Sequence, residues 1–290
     1  MTGRLVDVES RIDTVHKLSA VISAMRGIAA ARVQEAQHHL ASIRAFSDTI
    51  GGAIGQALAL MPATDHAAPG GTVGPAGPGS HAIVAFCAEQ GFAGAFSDRI
   101  LTAAQALIAQ DPARRHDLLI VGDRGLLAAE SHGLAVAWSA PMIAHPDQAA
   151  ALADRITEAL YRRMTEEQLV KITVICAQPD GPDEGMAQTR QLLPFDLSRF
   201  ALPVQATAPR IALPAPALLA RLVEEYVFAE LSEAVMLSFA AENRARMRAM
   251  IAAQSNVNDT LDGLITRGRQ LRQQEITDEI VELAMGSLNA

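Results

Sequence analysis

The sequence predicts a fold of class α+β / α/β, in which the N- and C-terminal helices form a long antiparallel coiled coil and a small α/β domain lies between them in sequence. Both ends of the chain are proline-free and carry a seven-residue apolar repeat, and short apolar runs alternate with helical stretches in the middle. Half of the residues are hydrophobic but only 4% are aromatic, a balance that favours long helices packed through small side chains.

The first 60 residues predict one long helix. No proline occurs between Arg4 and Leu60, and apolar or small residues recur at every seventh position. This spacing returns to the same side of a helix every two turns, so it is typical of a coiled-coil seam. The repeat comprises Val8, Val15, Ile22, Ala29, Ala36, Ile43 and Ile50. A companion row of Leu5, Ile12, Val33 and Leu40 is interrupted by Ser19 and Arg26.

The last part of the chain predicts a second long helix. Pro216 is the final proline, and a helix over the 74 residues that follow it would extend for about 110 Å. No compact domain needs a helix of that length. The repeat comprises Met250, Val257, Leu264 and Leu271, with Met247 and Leu261 on the companion row. The two helices would satisfy their seams most simply by pairing with each other, and self-pairing in a homodimer is the alternative.

The middle of the chain predicts a linker followed by a small α/β domain. Residues 62–79 are so rich in glycine and proline that neither helix nor strand is expected there. Apolar runs predict strands at 83–87, 118–121, 136–138 and 171–176, and helices are expected at 98–109, 123–132 and 148–163. Continuous apolar strands separated by helices indicate a sheet that is at least partly parallel. The predicted division is 1–61 for the first helix, 62–80 for the linker, 81–210 for the α/β domain and 211–290 for the second helix.

Composition limits the classes of function. The formal charge of −8 disfavours a general nucleic-acid binder, which normally carries a basic excess. The two cysteines, Cys87 and Cys176, lie in apolar runs and are expected to be buried small hydrophobes. The start of the chain lacks the apolar block of a signal peptide, and no stretch is apolar for the ~18 residues that a membrane span needs. We therefore expect a protein on the cytoplasmic side.

Catalytic and cofactor motifs are absent from the sequence. A P-loop needs a glycine-rich turn closed by a lysine, but neither Lys17 nor Lys171 follows a glycine. No G-x-S-x-G, H-E-x-x-H or paired C-x-x-C motif occurs. The eight histidines are scattered and are expected at the surface. The prediction is a protein with no catalytic residue, no cofactor and no metal of its own.

Two glycine-containing turns resemble phosphate-binding loops. Residues 90–96 follow a predicted strand and precede a predicted helix, but they lack the full G-x-G-x-x-G spacing and a suitably placed acidic residue. Asp123 lies in a similar strand-to-helix turn, where an aspartate is expected to cap the helix. Both are interpreted as structural turns.

Arginines are concentrated in the second predicted helix. They are Arg244, Arg246 and Arg248, and then Arg267, Arg269 and Arg272. A solvated helix face is the simplest interpretation. Side chains two positions apart fan around a helix, however, and this suits a shaft contacted from several directions by carboxylates of a surrounding partner.

Several segments resemble the gamma subunit of F-type ATP synthases. Residues 11–25 and 29–33 are similar to the first shaft helix of that family, and the turn 90–96 occupies the place of its S-D-R-G-L-C-G-G-F-N turn. The strongest matches are residues 245–250, which resemble A-R-M-x-A-M, and residues 272–280, which resemble R-Q-x-x-I-T-x-E-I. The resemblance extends essentially from end to end.

The resemblance implies a noncatalytic central rotor. In that family the coiled coil lies in the bore of a hexamer of three alpha and three beta subunits, one copy per complex, and its foot joins the epsilon subunit and the membrane c-ring. ATP is handled by the beta subunits. The implied location is peripheral, on the cytoplasmic face of the bacterial inner membrane. The residues that match contacts with beta subunits or braces of the shaft are Met25, Arg246, Arg272, Gln273, Thr277 and Glu279.

The chain departs from the family pattern at residues 26–28, 254–257, 267–269 and 211–214, the last of which belongs to the foot. These departures suggest a divergent or second copy of the machine. Two other functions stay open from the sequence. One is a self-associating coiled-coil scaffold, and the other is a nucleotide-binding protein that uses the central α/β domain.

Overall fold

A computed structural model describes residues 2–61, 72–73, 79–166, 168–180, 185–200 and 211–288. These residues form five α-helices, seven β-strands and two short 3-10 helices. The helices are α1 (Thr2–Ala59), α2 (Phe96–Gln110), α3 (Asp123–Ser131), α4 (Ala149–Glu166) and α5 (Ala215–Leu288). The strands are β1 (Thr72–Val73), β2 (Ser80–Phe86), β3 (His116–Val121), β4 (Val136–Ala140), β5 (Leu169–Ala177), β6 (Ala187–Leu193) and β7 (Phe195–Asp196).

The chain divides into two compact units. Met1–Ala30 and Arg246–Ala290 form the first, which we call the terminal unit, and Ala31–Ala245 form the second, which we call the sheet unit. The long helices α1 and α5, of 58 and 74 residues, contribute to both. Both helices predicted from the heptad repeats are therefore confirmed.

The terminal unit is an antiparallel pair of helices. Glu9, near the start of α1, contacts Arg272, near the end of α5, whereas Ser23 contacts Gln254. The predicted pairing of the two ends with each other is thus confirmed. The core of the pair comprises Ile22, Met250 and Val257, with Val15, Met25, Ala249 and Ala253 packed against it.

The predicted heptad positions are the ones that face inward. From Val8 to Ile50 in α1, and from Met250 to Leu271 in α5, each seventh residue of the repeat is buried or half-buried. At the interrupted companion position, Ser19 accepts a 2.8 Å hydrogen bond from the side-chain amide of Gln254. A polar contact across the seam therefore replaces the missing leucine.

The sheet unit contains a five-stranded sheet of order β4-β3-β2-β5-β6. The first four strands of this order are parallel, and β6 runs antiparallel to β5 at the edge. The four predicted strands and three predicted helices are confirmed with shifts of a few residues at their ends. Sequence reasoning missed β6, because a half-exposed edge strand with the sequence AQTRQLL has no continuous apolar run.

One prediction for the linker is wrong. Thr72–Val73 form a short strand, β1, that pairs antiparallel with Phe195–Asp196. A threonine and a valine with branched side chains favour extended backbone even inside a glycine-rich segment. Residues 62–71 and 74–78 of the predicted linker lie outside the described residues.

Alternate residues of β2 enter two different apolar cores. Ala82, Val84 and Phe86 pack in a core with α1, α4 and α5, whereas Ile83 and Ala85 pack in a core with α2 and α3. Each fully buried isoleucine, valine or phenylalanine stabilises the fold by about 1.5–3 kcal/mol. Helices therefore cover both faces of the sheet.

The cysteines are buried as predicted. Cys87 lies in one core and Cys176 in the other, and both are free thiols. Burial raises the pKa of Cys87 to about 12 and that of Cys176 to about 11. Neither side chain is a reactive thiolate at neutral pH.

The prediction of a surface position is wrong for His81. Its side chain is 2% exposed at the start of β2, and its Nε2 lies 2.8 Å from the hydroxyl of Thr173. The ring of His116 packs edge-on at 5.2 Å. A hydrogen-bond partner on the neighbouring strand is what allows the ring to be buried.

Candidate functional site

The six residues matched to the family's contact positions lie on α1 and α5, and the structure places them in two groups. Met25, Arg246 and Arg272 have partners inside the protein or are buried, whereas Gln273, Thr277 and Glu279 are exposed. The first group suits a bracing role and the second a role in external contacts.

Met25 and Arg272 connect the two helices of the terminal unit. Met25 is half-buried and packs against the core formed by Ile22, Met250 and Val257. The guanidinium of Arg272 donates a 2.6 Å hydrogen bond to the carboxylate of Glu9. Because both side chains of this ion pair are largely exposed, it contributes less than about 1 kcal/mol, but it selects one register of the pair.

Arg246 is buried, with 5% of its surface exposed. A buried guanidinium must be paired or fully hydrogen-bonded, because its charge is costly to remove from water. The interpretation of the arginines as a solvated face is therefore wrong for Arg246. It is also wrong for Arg244 of the sheet unit, which pairs with Asp180 at 2.5 Å. Arg248, Arg267 and Arg269 are exposed as expected.

The exposed residues Gln273, Thr277 and Glu279 lie beside exposed isoleucines near the end of α5. Residues three or four positions apart share one side of a helix, so Gln273, Ile276, Thr277 and Ile280 form one continuous stripe. We call these four residues the α5 stripe. Ile276 is 52% exposed and Ile280 is 60% exposed, while the Thr277 hydroxyl donates to the backbone carbonyl of Gln273. Glu279 is exposed three positions after Ile276, so it borders this stripe.

A second exposed apolar stripe lies on α1. Leu18, Val21 and Ile28 are spaced by three and seven residues, and all three are exposed. We call these residues the α1 stripe. Large apolar side chains grouped on a surface mark an interaction site, because water disfavours their exposure. Sequence reasoning missed both stripes. The sequence did contain a signal for them, because these large apolar residues lie outside the heptad rows and so cannot face the seam.

The sheet unit tests the idea of a nucleotide site at the turn 90–96. This turn follows β2 and precedes α2, as predicted, and Gly94 adopts a positive φ of 59°. The backbone amides of Glu89, just before the turn, and of Gln90, its first residue, each donate a 3.2 Å hydrogen bond to the carboxylate of Glu242 on α5. A carboxylate of the protein thus occupies amides that would face a phosphate in a nucleotide-binding fold.

At the turn between β3 and α3, a carboxylate of the protein again accepts hydrogen bonds from backbone amides. The helix α3 begins at Asp123, whose amide donates to the carboxylate of Glu89 at 3.1 Å, and the same oxygen accepts from the amide of Met142 at 2.7 Å. The prediction that Asp123 caps this helix is wrong. The N-cap position belongs to Gly122, which has no side chain that could accept a hydrogen bond from the first turn. Glu89 supplies the capping charge from the neighbouring strand's turn.

An ion-pair network lines a cavity of about 530 Å³ in the sheet unit. Arg190 of β6 lies between Glu230 and Glu233 of α5 at 3.3 and 3.0 Å. Arg44 of α1 donates to Glu233 at 2.9 Å, and Arg199 donates to Glu230 at 3.2 Å. The three arginines are thus engaged by carboxylates of the protein, so the network holds α1, α5 and β6 together.

Metal-binding groups and membrane-spanning helices are both absent from the described residues. Within the described ranges, no group of three or more histidine, cysteine or acidic side chains is arranged to bind a metal ion. Among the described helices, none has a window apolar enough for a membrane span.

Comparison with known proteins connects both units to one family. A family model described as ATP synthase matches residues 4–288. The chain is similar to the ATP synthase gamma chain of Solibacter usitatus, with 25% identity over 289 residues and 99% of each chain covered. It is also similar to the ATP synthase gamma chain of Frankia casuarinae, with 28% identity over 299 residues, 99% of this chain and 98% of the relative.

Two solved structures share the fold. A chain of the Euglena gracilis mitochondrial ATP synthase OSCP/F1/c-ring structure matches with a TM-score of 0.64 and 12% identity, covering 100% of this chain and 95% of that one. A chain of the Tetrahymena thermophila mitochondrial ATP synthase central stalk/c-ring structure matches with a TM-score of 0.56 and 19% identity, covering 80% of this chain and 99% of that one.

Proposed function

The chain belongs to the ATP synthase gamma-subunit family, and from this membership we propose that its paired terminal helices turn as the central rotor of the complex. As a gamma subunit it is itself noncatalytic, and it couples ion transport to ATP synthesis or hydrolysis at other subunits. The observation that carries the proposal is a closed antiparallel seam combined with exposed apolar stripes on both helices.

The rotor needs an asymmetric surface. Three equivalent catalytic subunits can be held in different states only by a part that lacks threefold symmetry. The α1 stripe and the α5 stripe provide such a surface, because they lie on different helices and differ in sequence. Each orientation would then favour one conformation of a neighbouring beta subunit and so change its nucleotide affinity without touching the nucleotide.

The size of the stripes is consistent with this task. Driving a two-state subunit almost completely from one conformation to the other needs about 5.5 kcal/mol of differential contact energy. A large aliphatic side chain gains about 1.5–3 kcal/mol on full burial, hence ~1 kcal/mol when it is already half-covered. The two isoleucines of the α5 stripe and the three residues of the α1 stripe therefore supply about the amount required.

We assign roles to the six matched residues as part of this proposal. Met25, Arg246 and Arg272 brace the helix pair, because they are buried or engaged across the seam. Gln273, Thr277 and Glu279 contact beta subunits, because their side chains are exposed beside the isoleucines.

The proposed assembly follows the family. One copy of this chain associates with three alpha subunits, three beta subunits, an epsilon subunit and the c-ring. It is peripheral, on the cytoplasmic face of a bacterial inner membrane. Two terminal helices that satisfy each other's seams leave no seam free for a self-associating scaffold, which disfavours that alternative.

Purification of a tagged chain from its own cells tests the proposal. The expected material contains alpha and beta subunits in threefold excess over this chain. Recovery of a homodimer without those subunits would favour the scaffold. Calorimetric titration of the isolated chain with ATP and NAD tests the other alternative, and tight stoichiometric binding would contradict the noncatalytic role.

A further inference from the structure

The sheet has a crevice at the place where ligands normally bind in folds of this kind. The chain leaves β2 toward β3 on one side and returns from β4 to β5 on the other, so the connections diverge between β2 and β5. In open parallel sheets, ligands bind at the carboxyl ends of the two strands that flank such a point.

In this chain, helix α5 is attached at that point. The carboxylate of Glu242 accepts hydrogen bonds from the amides of Glu89 and Gln90, which follow β2. Two residues later, Arg244 pairs with Asp180, which follows β5. Glu242 is only 3% exposed, so these hydrogen bonds are shielded from water and strengthened accordingly.

Asp180 also connects the sheet to the other long helix. Its second carboxylate oxygen accepts a 3.2 Å hydrogen bond from the side-chain amide of Gln37 on α1. Within the sheet unit, one carboxylate after β5 thus contacts both α1 and α5.

The geometry of these contacts opposes rotation of α5 about its own axis. Neighbouring residues of a helix are separated by about 100°, so Glu242 and Arg244 point about 200° apart and hold α5 from two sides. The close packing of the buried part of α5 also opposes such a rotation, and the charged hydrogen bonds add a restraint that depends on angle as well as on distance.

We propose that Glu242 and Arg244 are positioning residues that fix the rotational setting of α5 on the sheet, so that torque passes between the sheet and the helix through them. The proposal rests on the rotor function. The ligand crevice of an α/β sheet serves in this chain as a clamp for a helix.

The chain offers a matched control. The carboxylates of Glu242 and Glu89 each accept two backbone amides at the same edge of the sheet, but only Glu242 belongs to α5. Glu242→Gln and Glu89→Gln should lower the melting temperature of the full chain by similar amounts, about 5 °C. Only Glu242→Gln should also weaken the coupling between ATP hydrolysis and ion uptake by the complex.

The test uses the complete complex in vesicles, with ATP hydrolysis and ATP-driven ion uptake measured on the same sample. The proposal predicts that the ratio of uptake to hydrolysis falls for Glu242→Gln and keeps the wild-type value for Glu89→Gln. Equal ratios in the two variants would overturn it. Failure of the wild-type chain to support any uptake would instead contradict the rotor function.

A charge exchange provides a second, independent test. Arg244→Asp should lower the same ratio, and the double variant Arg244→Asp with Asp180→Arg should restore it, because the pair is re-formed with reversed charges. A double variant that remains as uncoupled as Arg244→Asp, in a complex that assembles, would also overturn the proposal.

Discussion

The carboxylate of Glu9 and the guanidinium of Arg272 meet at 2.6 Å across the two helices of the terminal unit, although 263 positions separate them in the sequence. This pair and the contacts of Gln254 with Ser19 and Ser23 define a single antiparallel register. The same register buries Ile22, Met250 and Val257. The inward side of each helix is thus fixed, and the outward sides remain for partners.

Replacing the isoleucines of the α5 stripe should weaken coupling without unfolding the chain. Ile276→Ser with Ile280→Ser removes apolar surface that is already half-exposed, so the free energy of unfolding of the isolated chain should change by less than about 1 kcal/mol. ATP-driven ion uptake by the complex should fall. Asp278→Ser, an exposed change on the opposite side of α5, is the control and should keep full uptake.

Breaking the seam of the terminal unit should abolish coupling. Val257→Pro removes a backbone hydrogen bond inside α5 and places a ring against the preceding turn, at a cost of about 3 kcal/mol or more. Val257→Ala at the same site retains the helix and should retain coupling. ATP-driven ion uptake is the measurement, and intact uptake by the proline variant would refute a role for a continuous shaft.

His81 should make the chain less stable in acid. Burial, with the nearby charges of Lys171, His116 and Arg114, lowers the pKa of His81 to about 4, although Asp111 acts in the opposite direction. The unfolded state keeps a histidine pKa of about 6.5, so it binds more protons between these values and stability falls as the pH drops from about 6.5 to about 4.

Denaturant unfolding at pH 7.0 and at pH 4.5 measures this effect. The loss for the wild-type chain should exceed that for His81→Gln by up to about 3 kcal/mol. His145→Gln is the control, because this histidine is not among the charged groups around His81, and this variant should show the same loss as the wild-type chain. Identical losses for wild type and His81→Gln would show that the buried imidazole does not control the acid response.

The buried ion-pair network should be far more sensitive to mutation than a surface pair. Burial alone would raise the pKa of Glu233, but the hydrogen bond from Arg44 and the charge of Arg190 lower it overall. Its stabilising effect is therefore present at neutral pH and is lost as the pH falls below about 4.5.

Glu233→Ala leaves Arg190 and Arg44 short of a partner and should cost about 3 kcal/mol at pH 7. Glu224→Ala, which breaks the exposed pair with Arg221 on the same helix, should cost less than about 0.5 kcal/mol. Chemical denaturation of the full chain compares the two variants, and similar losses would mean that the network is not stabilising.

The long helices and the parallel strands could be predicted because their signals are local and repeated. Val8 to Ile50 recur every seven residues, and the strands around Ile83 and Leu118 are continuous apolar runs. Such patterns show which side of a helix or strand faces the core. They can be read from the sequence without knowing which other segment packs against that side.

The carboxyl edge of the sheet could not be predicted in the same way. Glu242 and Glu89 contact backbone amides of residues 153 and 34 positions away, and no spacing rule connects a glutamate in a helix with such amides. His81 was misplaced for the same reason, since its burial depends on Thr173 of a neighbouring strand. Contacts between distant segments decide these positions.

Observation of a single complex during ATP hydrolysis tests whether this chain turns as a rotor. Cys87 and Cys176 are buried, so a cysteine introduced at the exposed Glu130 is the accessible thiol of this chain, and it can carry a bead in a complex whose other subunits lack exposed cysteines and whose beta subunits are fixed to a surface. We expect ATP to turn the bead continuously in one direction, and we expect the complex with Val257→Pro to hydrolyse ATP without turning it. A bead that stays still while the wild-type complex hydrolyses ATP would contradict the rotor.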